Sequence, residues 1–192
     1  MIDIDPRAIR SRAALVDAMI GALDEGASPA AISITDIVRL AGVSRPTFYQ
    51  HFGSMSSLVH AAALHRLQQA FELVPQPAAD AEWESFSNES MTILLGHLAQ
   101  HSAFYLAVLH DTGVMPVSDI IDMLADRFLD IAPFSPAIRA DAEAARERAE
   151  FLAAGITWSV VQWLEAGAHD IPASAQRFSA ILISSVPASR AE

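Results

Sequence analysis

The sequence predicts an all-α protein, with an N-terminal three-helix helix-turn-helix domain followed by a larger helical domain. Three observations carry this. Apolar residues recur at three- and four-residue spacing through almost every segment, and no segment has the period-two alternation of a half-buried strand. Gly26, Gly42 and the pair Pro75 and Pro77 stand where periodic runs stop. Hydrophobic residues make up 52% of the 192 residues and charged ones 18%, so the chain can fill a core and is not disordered.

The elements follow in order. Leu15, Met19 and Leu23, with Val16 and Ile20 beside them, mark a helix from about Arg7 to Glu25 that Gly26 ends. In "SITDIVRLAG", Ser33 is a helix cap and Asp36 sits at the third helical position, where a carboxylate suits the positive end of the helix dipole. Gly42 closes that helix after two turns. "SRPTFYQHF", residues 44 to 52, starts the next. Its proline does not break the helix: with Ser44 as cap, Arg45 and Pro46 take the first two positions, whose N–H groups have no intrahelical partner in any case.

Ser54 opens a fourth helix in which Val59, Ala63, Leu67, Ala70 and Phe71 form an apolar stripe, and "PQP" at 75 to 77 closes it. Further helices are expected over 79–100, 102–110, 117–131, 136–166 and 172–186. The last two carry an excess of apolar surface. Ile156, Trp158, Val160, Trp163 and Leu164 point to nearly every side, and Phe178, Ile181 and Leu182 line the helix after them. Ile156, Val160, Trp163, Leu164, Phe178, Ile181 and Leu182 are the candidate subunit interface, a single-chain core being the alternative. The domain division is placed at 1–56 and 57–192.

Composition excludes several classes of function. With no cysteine, disulfides, thiolate metal sites and cysteine nucleophiles are out. The longest apolar run, "AFYLAVL", is far short of the roughly 18 residues a membrane span needs. The opening "MIDIDPRAIRSR" has aspartates where a secretory signal carries positive charge and then an apolar block, which implies a cytoplasmic location and no membrane partner.

The net charge of -11 is unevenly spread. Residues 1 to 66 balance six arginines against six carboxylates, so the whole excess belongs to the rest of the chain. His97 and His101 have the spacing of helical metal ligands but no glutamate completes an HExxH pattern, and no metal or cofactor is expected. Glu143, Arg146, Glu147, Arg148 and Glu150 are most simply a solvated helix face. With no GxSxG elbow, phosphate loop or dinucleotide fingerprint, no catalytic residue and no enzymatic activity are expected.

The two helices joined by "AGVS" form a helix-turn-helix, whose second helix enters the major groove. Phe48 and Phe52, four apart, should pack inward with Val43 and Ile37. That leaves Arg45, Pro46, Thr47, Tyr49, Gln50 and His51 for DNA. Arg45 can pair bidentately with guanine, Pro46 and Tyr49 can touch thymine methyls, and Thr47, Tyr49 and His51 can donate to phosphates.

Residues 32 to 58, "ISITDIVRLAGVSRPTFYQHFGSMSSL", resemble the N-terminal signature of the TetR family of transcriptional regulators. The resemblance covers about the first 60 residues; the remainder matches only as an all-helical pattern. It implies a recognition surface of Arg45, Pro46, Thr47, Tyr49, Gln50 and His51 behind the cap Ser44, with Ser33 and Thr35 near the DNA backbone. It also implies a double-stranded operator, a homodimer joined through the last two helices, and a small-molecule effector of unknown identity. Trp83, Phe86, Met91, Phe104, Tyr105, Met123, Phe128, Phe151 and Trp158 are the candidate lining of its pocket, plain core being the alternative for each. One position departs from the family pattern. Met55 stands where members usually carry a lysine at the start of the fourth helix, so one phosphate contact is expected to be missing and DNA affinity to be lower. A helical ligand-binding or interaction module with weak or lost DNA binding is the alternative function.

Overall fold

The computed structural model describes residues 5–77, 82–110, 117–130, 144–167 and 170–185. Among these the architecture is helical throughout. The helices are α1 (Pro6–Asp24), α2 (Ile34–Leu40), α3 (Arg45–His51), α4 (Met55–Glu72), α5 (Trp83–Gln100), α6 (Ser102–His110), α7 (Val117–Asp130), α8 (Ala145–Ala166) and α9 (Ile171–Ser185), with one 3-10 turn at Pro29–Ala31. The part of the expected 136–166 helix before residue 144 lies outside the described residues. The expected helix over 79–100 begins at Trp83.

Local chemistry accounts for the helix starts. The Asp5 carboxylate accepts the Arg7 N–H at 2.9 Å, and Ser54 Oγ accepts that of Ser57 at 3.1 Å. Asp170 does the same for Ala173 at 3.1 Å, opening α9. Each cap satisfies one N–H that the first turn of a helix leaves without a partner. Between α2 and α3 the chain reverses through Gly42, at φ +64°, a left-handed conformation that costs a side chain about 1–2 kcal/mol.

The described residues fall into two compact units, one within Met1–Gln69 and His101–Met115, the other within Ala70–Gln100 and Pro116–Glu192. The unit holding the helix-turn-helix therefore reaches beyond residue 56. Its core explains why. Leu15, Val16, Met19 and Leu23 of α1, Ile37 of α2, Phe48 of α3, Leu58, Val59 and Ala62 of α4, and Phe104 and Val108 of α6 form one buried cluster. The α2–α3 pair alone supplies two of these side chains, too few for a core of its own.

The buried face of α4 keeps Val59, Ala70 and Phe71 of the expected stripe and extends toward Leu58, Ala62 and Arg66. Leu58, Val59, Ala62, Arg66 and Ala70 are buried, while Ala63 and Leu67 are half-buried. An arginine sits on the inner face. Arg66 is only 6% exposed and donates to Asp24, at the end of α1, at 2.6 Å. Its Nη2 lies 2.8 Å from His101 Nδ1, and the guanidinium stacks over the Phe104 ring at 4.9 Å. Because arginine can only donate, the imidazole nitrogen accepts. One side chain thus ties α1, α4 and α6 together.

In the second unit α5 packs on α9 and α7 on α8. Trp163 of α8 donates through Nε1 to Ser174 Oγ of α9 at 2.9 Å in a buried setting. Arg127 donates to the Phe71 carbonyl at 2.8 Å and stacks over that ring; burial pulls its pKa below the usual value. Arg146 of α8 donates to Glu150 on its own helix at 2.5 Å, to Asp122 of α7 at 2.7 Å, and to Asp126 of α7. Those bonds, with that to Glu150 first, raise its pKa. Part of the charge run read as a solvated face is therefore a tie between two helices.

Candidate nucleic-acid interface

The turn Ala41–Ser44 sets α3 against α2, and the two helices divide their side chains by burial. Ile37 and Phe48 are fully buried, with Val43 and Phe52 packed against them. Phe48 lies edge-on to Tyr49, with ring centroids 5.4 Å apart. This apolar seam fixes the roll of α3, and the roll decides which residues face outward.

Ser33, Thr35, Ser44, Arg45, Pro46, Tyr49 and Gln50 are exposed; Thr47 and His51 are half-buried. Tyr49, at 50% exposure, is a large aromatic left open to solvent beside Arg45 and Pro46. The face of α3 that the sequence assigns to DNA is thus bare, apart from its two partly covered members.

Both caps on this surface are built as read. The Thr47 N–H donates to Ser44 Oγ at 3.3 Å, and the two hydroxyls bond each other at 2.7 Å. The Asp36 N–H donates to Ser33 Oγ at 3.2 Å, while the Ser33 hydroxyl donates back to the Asp36 carboxylate at 2.6 Å. Arg39 reaches the same carboxylate at 3.1 Å. The Ser33 hydroxyl, and after it Arg39, hold the Asp36 carboxyl below its ordinary pKa.

His51 is placed differently from a free surface donor. Its Nε2 lies 2.8 Å from Ser11 Oγ on α1, a contact between residues 40 apart in sequence. Nothing in the local pattern of α3 signals that partner. Arg12 lies over the Phe52 ring at 5.3 Å, so α1 meets the end of α3 through two side chains. Met55, the first residue of α4, is half-buried against the core cluster.

The residues expected to line a ligand pocket belong to both units. Phe104 and Tyr105 belong to the core of the first unit, packed edge-on with centroids 5.2 Å apart. Burial raises the Tyr105 phenol well above its usual pKa. Trp83 and Phe86 stack at 6.4 Å in the second unit, where Phe86, Met91 and Phe128 are buried and Met123 is half-buried. Phe151 and Trp158, at 78% and 66% exposure, face solvent on α8.

The expected interface residues divide the other way. Trp163, Leu164, Phe178 and Leu182 are buried within the single chain, Ile156 and Val160 are half-buried, and Ile181 is half exposed. The buried four contribute to core packing inside one subunit, because α8 and α9 spend those faces on their neighbours. Among the described residues no three His, Asp or Glu side chains gather to hold a metal, and no single helix is long and apolar enough to cross a membrane.

Among the described residues, an all-helical architecture with an exposed second helix after a capped tight turn has the geometry of the helix-turn-helix class, whose members present that helix to DNA. Residues 27–62 match the model of the bacterial regulatory proteins of the tetR family, so the chain carries the N-terminal helix-turn-helix domain of that family. Of the solved structures, the chain resembles the TetR family repressor AlkX from Dietzia sp. strain DQ12-45-1b, implicated in biodegradation of n-alkanes. The TM-score is 0.62 at 21% identity, over 90% of this chain and 93% of that one, a likeness of fold. No curated protein matches the chain.

Proposed function

We propose that the chain is a ligand-responsive transcriptional regulator, a repressor that binds a pseudo-palindromic operator as a homodimer. The observation that carries this reading is the bare face of α3, where Arg45, Pro46, Tyr49 and Gln50 stand exposed on a rigid seam. Arg45 reads a guanine, the Pro46 ring and Tyr49 meet thymine methyls, and Ser33, Thr35, Ser44 and Thr47 lie toward phosphates.

The dimer surface we infer is narrower than the sequence pattern suggested. Phe151 and Trp158, seven residues apart, share one face of α8, and Ile181 stands exposed on α9. Together with half-buried Ile156 and Val160 they supply apolar area that a second copy would cover. Two recognition helices would then meet half-sites one helical turn apart. A small apolar or amphipathic effector, bound in the second unit, would release the operator through ordinary coupling between two sites.

Fluorescence anisotropy against the DNA flanking the chain's own coding sequence, with scrambled competitor, tests the reading. Saturable, competitor-resistant binding is expected, with Arg45→Ala losing about 1–3 kcal/mol and its preference at one position per half-site. Flat binding to that DNA and to a genome-wide fragment pool would overturn it. Sedimentation of Trp158→Asp tests the dimer: the parent should sediment as two copies and the variant as one.

A further inference from the structure

We propose that Ser11 is a positioning residue for DNA binding, holding His51 so that contact between its ring and a DNA phosphate takes up a proton. The proposal rests on the DNA-binding reading and adds a condition to it. Ser11 Oγ lies 3.1 Å from the Ala8 carbonyl oxygen and 2.8 Å from His51 Nε2. A hydroxyl has one hydrogen and a carbonyl only accepts, so both contacts are made only if Ser11 donates to Ala8 and receives the Nε2–H of His51. The first ring proton is therefore committed to α1, and Nδ1 is left as an acceptor.

A phosphate oxygen is also only an acceptor. Two acceptors repel, so His51 meets the DNA backbone through Nδ1 only after that nitrogen gains a proton and the ring becomes a cation. The anion that balances it is then the phosphate. Arg12 of α1 lies above the Phe52 ring, whose centroid is 6.2 Å from the imidazole; α1 also carries Arg7 and Arg10, the cap Asp5, Asp17, and Asp24 paired with Arg66. Arg45 and Tyr49 share α3, α2 carries Arg39 paired with Asp36, and α4 carries His60, His65 and Arg66. Among the described residues no carboxylate pairs with His51.

Phosphate contacts need no sequence, so a labelled mixed-sequence duplex at low, fixed salt is a sufficient probe. The parent should bind more tightly as pH falls, by up to about tenfold per pH unit for each His51 engaged. His51→Asn, whose amide donates without titrating, should bind with a flatter profile. Ser11→Ala frees the ring to carry its single proton on Nδ1 and should flatten the profile too, while Ser11→Thr keeps it. Long-range proton–nitrogen NMR of the free parent should find the His51 proton on Nε2.

A free-protein proton on Nδ1 would overturn the proposal without any DNA measurement, whatever the folding of the variants. So would a parent-like slope in Ser11→Ala. A slope that survives His51→Asn sinks the proton coupling alone, whereas a parent that binds no duplex sinks the DNA reading and the coupling with it.

Discussion

Replacing Arg66 by methionine should destabilise the helix-turn-helix unit by about 2–4 kcal/mol. The magnitude follows from what the guanidinium touches. It makes a 2.6 Å bond to the Asp24 carboxylate, a 2.8 Å bond to His101 and a stacked contact with Phe104, at only 6% exposure. Hydrogen bonds to charged groups contribute about 1.5–3 kcal/mol, and breaking a buried ion pair costs about 3–5. The lower part of that range applies here because the Asp24 side chain keeps 34% of its surface in water and can be rehydrated. Methionine restores the stem's apolar volume against Phe104, so the loss isolates the polar head. Urea unfolding followed by circular dichroism is the assay. With a slope of about 2 kcal/mol per molar, the midpoint should fall by about 1–2 M. Asp24→Asn in the same chain should recover part of the loss, since no charge is then stranded. A stability within about 0.5 kcal/mol of the parent's, or strictly additive losses in the double variant, would refute the buried clamp between α1, α4 and α6.

Other consequences can be measured separately. Met55→Lys places a cation at the start of α4 and should steepen the salt dependence of DNA binding by ~0.9 per new phosphate contact, visible as a slope change in anisotropy. Gly42→Ala should cost about 1–2 kcal/mol in thermal or chemical unfolding; an added methyl there meets no atom within 4 Å, so the loss is backbone strain at φ +64°. The raised pKa of Tyr105 means that the unfolded phenol ionises first as pH rises past about 10, so the native state loses up to ~1.4 kcal/mol per pH unit beyond that point. Tyr105→Phe should lose stability more slowly over the same alkaline range in a pH series of unfolding curves.

What was legible in the sequence is what is written within one helical turn. Ser33, Ser44 and Ser54 announce caps because each reaches an N–H three residues ahead. Gly42 announces the turn because its conformation is barred to most side chains. The outward face of α3 was legible for the same reason, since Phe48 and Phe52 fix its inner face at four-residue spacing. Arg66 was not, because hydropathy assigns an arginine to solvent and its partners lie 42 and 35 residues away. The Ser11–His51 bond was hidden likewise: each residue looks like an ordinary surface polar group until α1 is laid against α3.

The aromatics of α8 argue the point most sharply. Phe151, Trp158, Trp163 and Leu164 are equally apolar in a list, and periodicity says only that they occupy several faces. Which face is inner depends on α7 and α9, which pack on that helix, and so Trp163 is spent on Ser174 while Trp158 is left in solvent. A residue's type fixes its wish for burial; only the neighbouring helix decides whether its own chain grants it. Where the chain does not, as at Phe151 and Trp158, apolar area stays open to solvent, and the dimer surface proposed above rests on that unmet burial.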